Sequence, residues 1–224
     1  MTWREWIRSA EIEPSIYAAD FSELGAQVAA LLNAGARVFH FDIGDGHFVE
    51  PITIGPVVIK DIAPLVHQFG GAVDCHLMVE NPERHFAAIK EAGGDSVTFH
   101  VEVVDDLAGA MSAARSEGLQ VGVAFKPETP VEFAAAASIG ADLVLCMSIE
   151  PGYSGQEFLP DSLDRIRELR VLLPKKLIQV DGGITKDNIR DVHDAGADLI
   201  VAGSAIFQDG DLPHPYLRLL RALV

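Results

Sequence analysis

Eight short, largely apolar runs recur along the chain: EIEPSIYA, ARVFHFDIG, GAVDCHLMV, SVTFHVE, QVGVAFKP, ADLVLCMSIEPG, KLIQVDGGI and ADLIVAGSAIF. They are apolar almost throughout rather than strictly alternating, which is the pattern of strands buried on both faces in a parallel sheet. Between them lie segments rich in Ala, Leu and charge, such as DFSELGAQVAALLNAG and DSLDRIRELRVLL, with helical character. In NAGARV, EAGGDSV, SEGLQV, SIGADLV and DAGADLI a glycine separates the helical stretch from the next strand, where a C′ residue stops a helix. Eight βα units punctuated in this way over 224 residues predict an α/β fold, a single (β/α)8 TIM barrel spanning 1–224. A doubly wound open sheet is the alternative. It is weakened by the absence of GxGxxG after the first strand and by polar residues at many different strand ends. The opening MTWREWIRSA predicts a short amphipathic N-terminal extension with Trp3, Trp6 and Ile7 on one side, capping the barrel or joining a subunit contact.

Composition sharpens this picture at a few points. A hydrophobic content of 49% with 22% charged residues is that of a globular chain with a sizeable core. The net charge of −16 argues against a nucleic-acid footprint and against an anionic membrane surface. It does not exclude one phosphate group, which backbone N–H groups and helix N-termini bind without a basic surface. Cys75 and Cys146 sit inside apolar runs and read as buried, reduced thiols. No apolar signal region or membrane-length segment is visible, so the expected location is the cytoplasm.

In a barrel, polar residues at the C-terminal ends of strands face the active site. Strand ends here carry Ser15, His40, Asp42, His76, His100, Glu102, Lys126, Glu150 and Asp181. Buried His and Asp are costly unless paired or bound to metal. His40 and Asp42 stand at i and i+2 and point to the same side of their strand. With His76 and Asp181 they form a mixed nitrogen and oxygen set suited to Zn²⁺ and tolerable for Fe²⁺, Mn²⁺ or Co²⁺. Glycine loops follow strands six to eight: Gly152 and Gly155 in EPGYSGQ, Gly182 and Gly183 in VDGGI, and Gly203 with Ser204 in VAGSAIF. Loops after strands seven and eight are a common phosphate site in barrels. Lys126 is a candidate for attracting phosphate, with a Schiff base as the alternative, which leaves the His/Asp set unexplained. His47, His67, His85, His193 and His214 read as surface or structural.

The segments PSIYAADF, HFDIGDGHFVEPITIGP, DCHLMVENP, TFHVE, MSIEPGYSGQEF, VDGGIT and VAGSAIF, in this order, resemble the ribulose-phosphate 3-epimerase family. The resemblance implies that His40, Asp42, His76 and Asp181 bind a divalent metal, with Asp42 and Asp181 as the acid/base pair. It implies that Ser15, His76, Gly152, Tyr153, Ser154, Gly155, Gly182, Gly183, Gly203 and Ser204 contact a small sugar phosphate, and that Met78 and Met147 line the reaction centre. It further implies a homo-oligomer, dimer or hexamer, and a supporting role for His100 and Glu102. Three positions depart from the family pattern: Gly44 replaces a methionine, Ser154 a glycine, and Val49-Glu50-Pro51 a VPN segment. Gly44 is expected to leave more room near the metal. The implied reaction is metal-dependent 3-epimerisation of a ketose phosphate, D-ribulose 5-phosphate to D-xylulose 5-phosphate. The rivals are a six-carbon ketose phosphate of the allulose 6-phosphate type, a hexulose-phosphate lyase, and a silent sugar-phosphate sensor.

Overall fold

The apolar runs become eight strands in a computed structural model that describes residues 2–7, 10–208 and 211–224. Met1, Arg8 and Ser9 of the N-terminal extension lie outside the described residues. The strands are β1 (Glu11–Pro14), β2 (Val38–Gly44), β3 (Ala72–Met78), β4 (Ser96–His100), β5 (Gln120–Phe125), β6 (Leu143–Met147), β7 (Leu177–Asp181) and β8 (Leu199–Ala202). From β2 to β8 each strand pairs in parallel with its sequence neighbour, and β1 pairs with β8. A parallel bridge between Ser15 and His40 joins the end of β1 to β2 and closes the ring. The result is the expected (β/α)8 TIM barrel, not an open sheet.

The helices are α1 (Trp3–Trp6), α2 (Leu24–Ala34), α3 (Pro56–Gln68), α4 (Phe86–Ala92), α5 (Leu107–Ser116), α6 (Val131–Ala137), α7 (Ser162–Leu172), α8 (Ile189–Ala195), α9 (Ser204–Phe207), inside the run ADLIVAGSAIF that was expected to be strand, and α10 (His214–Leu223). Gly35 and Gly93 close α2 and α4 with φ of 111° and 103°, a left-handed conformation costly for any residue with a Cβ. The chain can therefore turn directly into the next strand.

Strand alternation divides the apolar residues into two compartments. Phe39, Phe41 and Ile43 of β2, with Val73, Cys75 and Leu77 of β3, point outward and pack in the core beneath the helices. Val38, Ala72, Leu143, Leu177 and Leu199 point inward and form the lower layer of the barrel. Trp3 and Trp6 join this inner cluster, with ring centroids 5.0 Å apart in an edge-on arrangement. The Trp3 backbone N–H donates to Gln120 Oε1 at 2.7 Å, fixing α1 across the N-terminal mouth. The extension thus caps the barrel, one of the two roles expected of it. Cys75 and Cys146 are buried and unpaired, as expected. Among the described residues no helix is long and apolar enough to cross a membrane.

Candidate active site

Above the apolar plug the inward positions turn polar. Glu13, Asp74, Ser96 and Gln179 are all fully buried and form a hydrogen-bonded layer across the barrel. Gln179 Nε2 donates to both Glu13 Oε2 and Asp74 Oδ2, and Ser96 Oγ donates to Asp74 Oδ1 at 2.8 Å. Burial and the neighbouring Asp74 push the Glu13 carboxyl well up. His40 Nδ1 lies 2.8 Å from Asp74 Oδ2. Burial works against the Asp74 carboxylate, but His40, Gln179 and Ser96 together hold it below the usual range. An ionised carboxylate only accepts, so His40 carries its proton on Nδ1 and turns Nε2 upward.

One layer higher, four donor atoms converge. His40 Nε2 lies 3.2 Å from Asp42 Oδ1 and 3.9 Å from Asp181 Oδ2; His76 Nδ1 lies 3.1 and 3.7 Å from the same oxygens. All four donors fall within 4.8 Å of one another. Ligands of a tetrahedral zinc ion, at about 2.0–2.2 Å from it, stand roughly 3.3 Å apart. His40 Nε2 is buried with no hydrogen-bond partner among the described residues, which a cation in this position would resolve. The donor set and its spacing therefore fit a divalent ion.

The electrostatics of the two carboxylates differ. Burial disfavours the charge on Asp42, but His40 and His76 outweigh it and hold the carboxylate well below its ordinary value. Asp181 is pushed up to about 6, by burial first and by repulsion from Asp42 second. Ser15 Oγ donates to Asp42 Oδ2 at 2.6 Å. Ser148 Oγ donates to the carbonyls of Asp181 and Gly182, pinning the end of β7.

His100, Glu102 and Lys126 stand beside this centre. His100 Nε2 is 2.9 Å from His76 Nε2, and His100 Nδ1 is 3.1 Å from Glu102 Oε2. Burial pulls the His100 imidazole down to about 4. Glu102 sits at about 2: burial opposes its charge, and hydrogen bonds from His100, Thr129 and the Lys126 N–H outweigh burial. The Lys126 ammonium lies 4.4 Å above the Phe48 ring, away from the residues that line the cleft. That position offers no support to a Schiff-base role.

The cleft opens above the four donors, with about 490 Å³ of space continuous with solvent. Ser15, Asp42, Met78, Met147, Gly152, Tyr153, Ser154, Gly155, Asp181, Gly182, Gly183, Gly203 and Ser204 all line it. Gly182 and Gly183 turn with φ of 120° and 65°, and a side chain on Gly183 would run into the Phe158 backbone. Ser154 Oγ reaches 3.3 Å from the point where a Cβ on Gly203 would sit, so it faces the glycine that follows β8.

Three expectations are adjusted. His76 is fully buried behind Asp42 and does not line the cleft, where the resemblance implied a substrate contact. Glu150 turns its side chain to solvent. Gly44 does not widen the pocket: a Cβ there would meet Pro51 O at 2.8 Å and Val49 Cγ2 at 2.9 Å, because the loop after β2 folds onto the strand end. Tyr17 and Ile184 also line the cleft and were not anticipated. Tyr17 lies two positions beyond Ser15 in the same strand-end segment, which is the signal that marks it.

Comparison with known proteins agrees with this geometry. Residues 11–207 match the model of the Ribulose-phosphate 3 epimerase family. The chain is 37% identical over 223 residues to ribulose-phosphate 3-epimerase of Candida glabrata, covering 94% of this chain and 90% of that one. It is 38% identical over 204 residues to ribulose-phosphate 3-epimerase of Escherichia coli K12, covering 89% and 90%. Among solved structures, a 3-hexulose-6-phosphate synthase superposes with a TM-score of 0.72 at 21% identity, covering 96% of this chain and all of the other, a likeness of fold alone. With the family model spanning β1 through α9 and both relatives aligned along most of their length, the chain belongs to the ribulose-phosphate 3-epimerase family.

Proposed function

We propose that the protein interconverts D-ribulose 5-phosphate and D-xylulose 5-phosphate by moving a proton at C3, with the whole chain acting as one sugar-phosphate-binding barrel. The observation that carries this reading is the meeting of Asp42 from β2 and Asp181 from β7 on the floor of one cleft, beside two histidines. Epimerisation next to a ketone requires a base on one face of the carbon and an acid on the other. Asp42 and Asp181 reach the floor of the cleft from two different strands, β2 and β7, which suits that division.

His40, Asp42, His76 and Asp181 would hold a divalent cation, Zn²⁺ best by donor set, with Fe²⁺, Mn²⁺ and Co²⁺ as other occupants. When bound, the cation supplies Lewis acidity that stabilises the negative charge developing on the substrate oxygens. Ser15 holds the second oxygen of Asp42, and Met78 and Met147 exclude water around the reacting carbon. The backbone of Gly152, Tyr153, Ser154, Gly155, Gly182, Gly183, Gly203 and Ser204 would receive the phosphate, whose binding energy fixes C3 between the carboxylates. A homo-oligomer is proposed by analogy with the family.

The space beside Gly44 is filled by Val49 and Pro51, so this position gives no reason to favour a six-carbon substrate. Incubation in D₂O with several ketose phosphates tests the assignment. Deuterium entering C3 of ribulose 5-phosphate faster than of six-carbon substrates is the expected result. Carbon–carbon cleavage, or exchange only with a hexulose phosphate, would overturn it.

A further inference from the structure

The chemistry above leaves His100 and Glu102 without a task, although they lie in line behind a metal-ligand candidate. We propose that they are positioning residues: a relay from Glu102 through His100 fixes the proton of His76 on Nε2 and presents a bare Nδ1 to the divalent cation. This inference rests on the metal reading of the His40, Asp42, His76 and Asp181 centre.

The argument follows donors and acceptors from the outside in. Glu102 Oε1 accepts the Lys126 backbone N–H at 2.9 Å and the Thr129 hydroxyl, and Oε2 faces His100 Nδ1 at 3.1 Å. A carboxylate has no proton to give, so His100 Nδ1 carries the hydrogen. His100 is fully buried and packs against the Phe48 ring at 4.7 Å, the ring over which the Lys126 ammonium lies at 4.4 Å. A neutral His100 has then spent its one ring hydrogen on Glu102. Its Nε2 is then a lone pair, 2.9 Å from His76 Nε2. Two lone pairs at that distance repel, so His76 Nε2 must donate.

A neutral His76 with its hydrogen on Nε2 has an unprotonated Nδ1. That atom is the one standing 3.1 and 3.7 Å from the Asp42 and Asp181 oxygens. Without the relay, a hydrogen on Nδ1 bonded to Asp42 is the competing arrangement, and it occupies the place of the cation. The two ring nitrogens of a ligand histidine are set by the bond the other one makes. Here the outer bond goes to a second imidazole, itself set by a carboxylate that is 22% exposed at the edge of the barrel.

Glu102→Gln tests the relay without changing its shape. The Lys126 N–H and the Thr129 hydroxyl claim the amide oxygen, so the NH₂ faces His100 Nδ1 and makes it an acceptor. His100 then carries its hydrogen on Nε2, and His76 is driven to carry its own on Nδ1. Competition with a chromophoric chelator should show zinc affinity falling by about 10–100-fold, the range typical of lost outer hydrogen bonds to metal ligands. The thermal midpoint in chelator should stay at the wild-type value. His100→Leu should lose as much affinity, and His100→Gln, whose amide oxygen still accepts from His76, should recover most of that loss. Nitrogen-15 NMR of the zinc-loaded wild type, which needs no variant to fold, should show a protonated Nε2 and a metal-bound Nδ1 at His76. Zinc binding by Glu102→Gln at wild-type affinity, or a protonated Nδ1 on His76 in the loaded protein, would overturn the relay alone. Absence of divalent binding by the wild type would overturn the metal reading and the relay together.

Discussion

Asp42 and Asp181 share one centre but not one environment. Asp42 takes its stabilisation from His40, His76 and the Ser15 hydroxyl; Asp181 faces burial and the charge of Asp42 with less help. Replacing either carboxylate by its amide keeps the size and removes the proton carrier. Asp42→Asn and Asp181→Asn should each lower kcat by at least about 10²–10⁴-fold, the usual worth of a positioned general acid or base. The check is steady-state epimerisation in a coupled assay, and a variant of either position at wild-type turnover would exclude the two-carboxylate scheme. Gly44 supports a different residue-level expectation. Its Cβ position is already taken by Val49 and Pro51, so Gly44→Ala overpacks the strand end rather than trimming a pocket. It should cost about 1–3 kcal/mol, read as a lower urea midpoint with an unchanged slope. A neutral or stabilising result would mean that the loop after β2 yields freely.

At the scale of elements, most of the barrel was legible because the strands are buried on both faces and several helices, α2, α4 and α8 among them, end at a glycine. The candidate ligands were legible too, as polar residues interrupting apolar strand ends. The polar layer below them was not anticipated, although period-2 spacing carries its signal. Glu13, Asp74 and Gln179 each lie two residues before a rim residue, Ser15, His76 and Asp181, and so share its side of the strand. The approach of His76 to His100 had no such signal. It depends on the ladder register, which sets His76 beside Thr98, and on the turn after β4. Gly44 misled because the folding back of a loop is a tertiary event. The cap formed by α1 yields its own prediction. Trp3 is 1% exposed and packs into the inner cluster at the end of the barrel opposite the cleft. Trp3→Ala should cost about 3–5 kcal/mol of stability, as large aromatic truncations in cores do. Because it sits at the opposite end of the barrel and does not line the cleft, KM at 25 °C should stay near the wild-type value. Thermal melting together with kinetics checks both halves, and a large KM change would mean that the plug reaches the site.

For the molecule as a whole, the barrel interior stacks an apolar plug, a closed polar layer and a centre rich in carboxylates, in that order towards the cleft. Without a cation, protons take its place. His40 is raised well above its ordinary value, because Asp42 and Asp74 outweigh the effect of burial, and Asp181 is raised to about 6. Both shifts have the same sign for stability. The folded metal-free protein holds protons more tightly than the unfolded chain, so its stability falls as pH rises through about 6 for Asp181 and further above the ordinary histidine value of about 6.5 for His40. A cation must displace those protons, so its affinity rises over the same window, by about tenfold per pH unit for each proton released. The two effects combine. At pH 8 zinc at one hundred times its Kd should add about 2.7 kcal/mol. For a chain of this length that raises the melting midpoint by about 5–11 °C over the chelator-treated protein. At the same zinc concentration and pH 6 the gap should shrink, since zinc binds more weakly and the metal-free form has regained its protons. Differential scanning calorimetry at both pH values, with and without chelator, measures the gap directly. A gap that widened on acidification would mean that the cation does not compete with protons at His40 and Asp181, and that the converging donor atoms serve some purpose other than holding it.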